Sequence, residues 1–124
     1  MPTVPTNPNF VIFITDQQRA IQHFPHEWVK DNLVNLNALT NTGLTFTNAI
    51  TNASRCSPSR GVLTTSLYAP KNGLLDVDGT LDPYWTTLGS KMQALGYQVQ
   101  YVGKWHMTAD IPDSSPPNSF LRPL

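Results

Sequence analysis

The sequence predicts an α/β fold, in which strands and helices alternate along the chain. Residues 10–14 form a continuous apolar run, which is typical of a strand buried on both faces of a parallel sheet. Between residues 31 and 42 leucines recur three positions apart, which indicates one face of a helix. The full predicted order is strand, helix, strand, helix, helix, strand, and this alternation favours βαβ units.

Local signals place the elements in the first half of the chain. The strand 10–14 is followed by residues 20–30, for which we expect a loop or an irregular helix. The helix 31–42 is predicted to end at Gly43, which stands where a C-terminal cap belongs. Residues 44–50 alternate apolar and polar side chains, which predicts a half-buried strand.

In the second half, a short helix is predicted to begin at Cys56, because Pro58 suits the first turn of a helix. Residues 67–83 contain two glycines and two prolines and are predicted to form a loop. The next helix is expected to be capped by Thr86 or Thr87 and to be closed by Gly96. The alternating residues 97–101 then predict the last strand.

Length and charge restrict the function classes. A chain of 124 residues holds at most one ordinary domain, predicted here over residues 9–111, with an extension at 1–8 and an irregular proline- and serine-rich tail at 112–124. Eight basic and eight acidic residues give zero formal net charge, so no field favours binding to nucleic acid or to an acidic membrane. With no signal peptide pattern, no apolar run of membrane-spanning length and no disulfide pair, we expect a cytoplasmic location.

Cys56 is the only cysteine and lies in a Cys-x-Pro-x-Arg motif. A helix that starts here places Cys56 at its positive end, where an anion is stabilised. Arg60 is four residues later and so lies on the same helix face. The motif therefore indicates an anion-binding site, and the alternative is that Cys56 is a small buried side chain.

Other polar side chains follow the predicted strands, at the edge of an open parallel sheet where ligands bind. Asp16 and Gln17 follow the first strand, and their oxygens suit a hard cation such as Ca²⁺ or Mg²⁺. The alternative for this pair is a turn at the end of the strand. Lys104 and His106 follow the last strand and could point to the same side, or they could belong to a solvated loop.

Three segments together resemble the successive N-terminal motifs of the sulfatase family, within the alkaline-phosphatase superfamily. The first is residues 9–19, Asn-Phe-Val-Ile-Phe-Ile-Thr-Asp-Gln-Gln-Arg. The second is Cys-Ser-Pro-Ser-Arg at 56–60, and the third is Gly-Tyr at 96–97 with Gly-Lys-Trp-His at 103–106. The resemblance covers roughly residues 8 to 107 and implies the N-terminal part of a mostly parallel sheet flanked by helices, incomplete in this chain.

The resemblance also implies an activity, the hydrolysis of a small-molecule sulfate ester. In the family, a maturation enzyme that recognises Cys-x-Pro-x-Arg oxidises the cysteine to formylglycine, and Cys56 matches that position. The hydrated aldehyde attacks sulfur, and its second hydroxyl then releases sulfate.

Further roles follow from the same resemblance, position by position. Asp16, Gln17 and the modified Cys56 match ligands of a divalent cation, Ca²⁺ or alternatively Mg²⁺ or Mn²⁺. Arg60 and Lys104 match residues that hold the nucleophile and neutralise charge on the transferred group. His106 matches a residue that assists deprotonation of the second hydroxyl.

Two departures from the family pattern keep other functions open. Many members have two aspartates where this chain has Asp16 and Gln17, and the remaining metal ligands and sulfate-binding residues of the family come from later segments. One alternative is a phosphonate or phosphate monoester hydrolase of the same superfamily. Another alternative is an inactive truncated remnant.

Overall fold

The computed structural model describes residues 7–20, 23–25 and 27–108. The chain divides into two compact units, residues 1–49 and residues 50–124. Within the described residues there are two helices in the first unit and three in the second, and none of these is long and apolar enough to cross a membrane. The predicted tail 112–124 and most of the predicted extension 1–8 lie outside the described residues.

The first unit contains two consecutive helices, α1 (Trp28–Asn32) and α2 (Val34–Thr42). The predicted helix 31–42 is confirmed over most of its length, but Leu33 interrupts it with non-helical backbone angles (φ −120°, ψ 55°). Gly43 ends α2 in an extended conformation (φ −114°, ψ −168°). It therefore ends the helix without the left-handed conformation that a glycine cap often adopts.

The predicted sheet is not confirmed, because no part of the described chain is paired as a strand. This applies to residues 10–14, 44–50 and 97–101. The apolar run 10–14 is exposed on both faces, from 51% at Ile14 to 91% at Val11. An apolar run of this kind becomes a strand only when neighbouring strands satisfy its backbone and other elements cover its faces. The described residues supply neither.

The second unit contains α3 (Cys56–Thr65), α4 (Ala69–Asn72) and α5 (Leu88–Ala94). The predicted helix at Cys56 is confirmed. The loop predicted over residues 67–83 is wrong where α4 forms a single turn. Two local signals favoured that turn, a proline in its first positions and the following Gly73, which adopts a left-handed conformation (φ 83°).

The start of α5 is fixed by a reciprocal pair of hydrogen bonds. Thr87 Oγ1 accepts from the Ser90 N–H at 3.1 Å, and Ser90 Oγ accepts from the Thr87 N–H at 2.9 Å. This capping box satisfies two N–H groups that a helix start leaves without intrahelical partners. Of the two predicted caps, Thr87 is therefore the one used.

A small core lies behind α3 in the second unit. Its buried apolar members are Leu74, Leu81, Trp105 and Met107. The N–H of Leu81 donates to the carbonyl of Met107 at 2.8 Å, which joins the segment after α4 to the segment after residue 101. Gly61 of α3 lies against Leu74, where a Cβ atom would be 3.0 Å from Leu74 Cδ2. The glycine thus allows α3, and with it Cys56, to lie directly on this core.

Candidate functional site

Cys56 is the first residue of α3, and its thiol is free and half-buried. Arg55 precedes it in an extended conformation (φ −102°, ψ 151°), and the Ser59 N–H donates to the Arg55 carbonyl at 3.0 Å. The first N–H groups of a helix have no intrahelical acceptor, so the start of α3 carries partial positive charge. The predicted position of Cys56 at a helix N-terminus is confirmed.

The residues on either side of Cys56, Arg55 and Ser57, both form polar contacts with the same short segment, residues 76–77. The guanidinium of Arg55 forms an ion pair with the Asp76 carboxylate, and the buried Ser57 donates from Oγ to the Val77 carbonyl at 3.2 Å. The Asp76 carboxylate also accepts from the Val77 N–H at 2.6 Å. Because contacts flank it on each side, the backbone of Cys56 is held in one position.

Arg60 connects α3 to the segment that contains Lys104. Its Nη1 donates to the Lys104 carbonyl at 2.6 Å and to the Tyr101 hydroxyl at 3.3 Å, and the Tyr101 hydroxyl also donates to the Lys104 carbonyl. These partners of Arg60 within the described residues are neutral oxygens. The half-buried guanidinium therefore keeps a positive charge that no carboxylate there neutralises, as a site for an anion requires.

Lys104 and His106 lie on either side of the buried Trp105, and both are more exposed than it is. Exposure therefore alternates over residues 104–106. His106 adopts a left-handed conformation (φ 50°), and its buried Nδ1 atom has no hydrogen-bond partner among the residues that the structure describes. Non-glycine residues in this conformation are strained and occur often at functional sites. His106 thus has a ring nitrogen with the capacity to bind a further group.

Asp16 and Gln17 belong to the first unit, where both side chains are exposed and Gln17 is left-handed (φ 54°). Their oxygens are the donors that hard cations prefer, but Ca²⁺ takes six to eight oxygen ligands. The described residues contain no group of three or more His, Cys, Asp or Glu side chains that could hold a metal. The pair fits part of a cation site and leaves most of its ligands to other groups.

A separate cavity of about 780 Å³ lies in the first unit. Its lining is mostly apolar and includes the stacked rings of Phe24 and Trp28, whose centroids are 5.1 Å apart. None of the predicted site residues lines it. Its lining contains no charged side chain and neither cysteine nor histidine, so this cavity does not share the chemistry of the Cys56 segment.

Sequence reasoning missed four contributors: Arg55, Asp76, Val77 and Tyr101. Asp76 and Val77 fall in the predicted loop, where nothing in the local pattern distinguishes them. The sequence pattern places Tyr101 only in the alternation of the last predicted strand. Its contact with Arg60 joins residues 41 positions apart, so no local pattern could have predicted it.

Comparison with known proteins gives consistent matches. A family model described as Sulfatase matches residues 8–120. The chain is 34% identical over 105 residues to an ulvan-active sulfatase of Formosa agariphila, covering 83% of this chain and 20% of that protein. It is 32% identical over 106 residues to arylsulfatase G of Homo sapiens, covering 81% of this chain and 20% of that protein.

A third relative is the multifunctional alkaline phosphatase superfamily protein PehA of Trinickia caryophylli. It is 31% identical over 110 residues, covering 85% of this chain and 21% of that protein. The chain thus spans about a fifth of the length of the curated relatives it matches. No solved structure gives a significant match.

Proposed function

Because the chain belongs to the sulfatase family, we propose that it forms part of the active site of a sulfate ester hydrolase. Family membership implies an α/β fold of the alkaline-phosphatase type. The observation that best supports the proposal is the hydrogen bond from Arg60 Nη1 to the Lys104 carbonyl, 2.6 Å long. It brings the helix that begins at Cys56 into contact with the segment 104–106.

In this proposal Cys56 is the residue that becomes formylglycine. The half-buried position at the start of α3 suits a group on which negative charge develops, because the helix N-terminus stabilises an anion. Once formed, the hydrated aldehyde supplies the oxygen nucleophile for attack on a sulfate ester. The ion pair of Arg55 and the hydrogen bond of Ser57 hold residue 56 in position for that attack.

The remaining roles are divided among three side chains. Arg60 supplies a guanidinium without a carboxylate partner in the described residues, which suits the binding of sulfate oxygens. The ammonium group of Lys104 neutralises charge on the same group. His106 holds or moves a proton at its buried Nδ1 atom, which has no other hydrogen-bond partner in the described part of the chain.

Asp16 and Gln17 are proposed as ligands of a divalent cation, with Ca²⁺ as the first choice and Mg²⁺ or Mn²⁺ as alternatives. Asp16 and Gln17 offer the oxygen donors that these ions prefer. When bound, the cation would polarise the sulfate oxygens. The proposed partners are a small-molecule sulfate ester and the maturation enzyme that recognises Cys-x-Pro-x-Arg.

The test uses the protein at the full length that its gene encodes, expressed together with a formylglycine-generating enzyme. Mass spectrometry of the peptide containing residue 56 measures conversion of the thiol to the aldehyde, and hydrolysis of an aryl sulfate measures activity. We expect the thiol of residue 56 to be converted to the aldehyde and the protein to hydrolyse the aryl sulfate. Chelation by EDTA should abolish the hydrolysis. The Cys56→Ala variant should show neither conversion nor hydrolysis. Faster hydrolysis of an aryl phosphonate or phosphate than of the sulfate would instead favour the alternative esterase function.

A further inference from the structure

Tyr101 lies at the junction of two segments that carry proposed catalytic residues. Its hydroxyl accepts a hydrogen bond from Arg60 Nη1 at 3.3 Å and donates to the Lys104 carbonyl. Arg60 Nη1 donates to the same carbonyl at 2.6 Å. A carbonyl oxygen has two lone pairs and can accept both bonds, so the three groups form a closed triangle.

The ring of Tyr101 is held independently of this triangle. It packs half-buried against the core of the second unit and meets the Trp105 ring edge-on, with centroids 5.3 Å apart and planes at 85°. Edge-to-face aromatic pairs of this kind are favourable beyond their buried area. The core therefore sets where the hydroxyl lies, and the hydroxyl sets where the guanidinium of Arg60 lies.

We propose that Tyr101 is a positioning residue for sulfate ester hydrolysis, acting through Arg60 and the backbone of Lys104. The inference rests on the proposed function of those residues. Without the hydroxyl, Arg60 Nη1 would keep one of its two acceptors, and the guanidinium could rotate about the bond that remains. Transition-state stabilisation depends on donors that are already in place. A displaced guanidinium therefore lowers turnover more than it weakens substrate binding.

Tyr101→Phe tests this, because it removes the hydroxyl and keeps the ring in the core. In the full-length, formylglycine-containing protein we expect kcat for an aryl sulfate to fall about tenfold, the effect of losing one hydrogen bond, with KM changed by less than about twofold. The matched control is Tyr84→Phe. Tyr84 is 93% exposed, and its only hydrogen bond within the described residues is from its backbone N–H to Asp82 Oδ1. The Tyr84→Phe variant should therefore have the same kcat as the unaltered protein.

A double substitution separates positioning from general structural support. In an Arg60→Lys background, Tyr101→Phe should cause no further fall in kcat, because the group that it positions is absent. An equal fall in both backgrounds, or unchanged kcat in Tyr101→Phe alone, would overturn the inference. So would a loss of activity explained entirely by a smaller fraction of formylglycine-containing protein.

A second measurement does not depend on catalysis. Phenylglyoxal modifies accessible guanidinium groups, and mass spectrometry of the peptide that contains Arg60 gives the rate of modification. Tyr101→Phe should be modified at Arg60 several-fold faster than the unaltered protein, while Tyr84→Phe should not differ. If the unaltered protein contains formylglycine but hydrolyses no sulfate ester, the proposed function fails. An unchanged modification rate in Tyr101→Phe would mean that the positioning contact fails instead.

Discussion

Ser57 Oγ donates a hydrogen bond of 3.2 Å to the carbonyl of Val77, twenty residues further along the chain. Ser57 is fully buried and is the residue directly after Cys56. Together with the ion pair between Arg55 and Asp76, it fixes the chain on both sides of the proposed nucleophile. The ion pair is exposed and contributes little to stability by itself. The partly buried hydrogen bond is therefore the more important of the two contacts.

Ser57→Ala should lower stability and activity without affecting maturation. The substitution leaves the partly buried Val77 carbonyl without this donor, which costs about 1 kcal/mol. Both serines of the motif occupy the variable positions of Cys-x-Pro-x-Arg, so Ser59→Ala is a matched control; its hydroxyl makes no hydrogen bond within the described residues. Thermal melting and formylglycine content are the measurements. Equal melting temperatures for the two variants would contradict the prediction.

Gly61→Ala should be destabilising although alanine is the better helix former. A Cβ atom at residue 61 would lie 3.0 Å from Leu74 Cδ2 and 3.2 Å from Asn72 Nδ2, both in buried side chains. Asn72 is held by hydrogen bonds to Thr65 Oγ1, the Leu67 carbonyl and the Leu74 N–H, so it cannot move freely. We expect a loss of about 1–3 kcal/mol from overpacking.

The control for this prediction is the double variant Gly61→Ala with Leu74→Val, which removes the atom nearest to the new methyl group. Leu74→Val alone leaves a cavity and should also be destabilising. The combined loss in melting temperature should be smaller than the sum of the two single losses. Additive losses would show that the contact between residue 61 and Leu74 is not the cause.

Local signals predicted the elements that local interactions fix, and failed where partners lie far along the chain. The helix at Cys56 and the cap at Thr87 depend on residues within one turn, and both predictions are confirmed. The strand predicted at 10–14 depends on neighbouring strands that the described residues do not contain. The contact between Arg60 and Tyr101 depends on the core that supports the tyrosine ring. The sequence therefore predicted candidate site residues, but it could not predict the groups that contact them.

Thr87→Ala should loosen α5 and leave α3 unchanged. The substitution removes the acceptor for the Ser90 N–H and half of the capping box, a loss of about 1 kcal/mol for a cap residue. Hydrogen exchange measured by mass spectrometry should show faster exchange of the α5 amides alone. Thr86→Ala changes the same residue type one position earlier, where the side chain makes no hydrogen bond within the described chain, and should exchange like the unaltered protein. Equal protection in the two variants would exclude the capping role.

Replacing His106 by glycine should destabilise the protein less than replacing it by alanine. Its φ of 50° is left-handed, a conformation that costs roughly 1–2 kcal/mol for a residue with a Cβ atom and little for glycine. His106→Gly should therefore melt at a higher temperature than His106→Ala, although glycine usually destabilises a folded chain. Both variants lack the imidazole, so both should lose about 10²–10⁴-fold in kcat if His106 transfers a proton. A more stable alanine variant would show that the backbone relaxes there. If His106→Gly is more stable than His106→Ala and is inactive, the left-handed backbone at residue 106 is strained, and the protein keeps that strain in order to hold the imidazole.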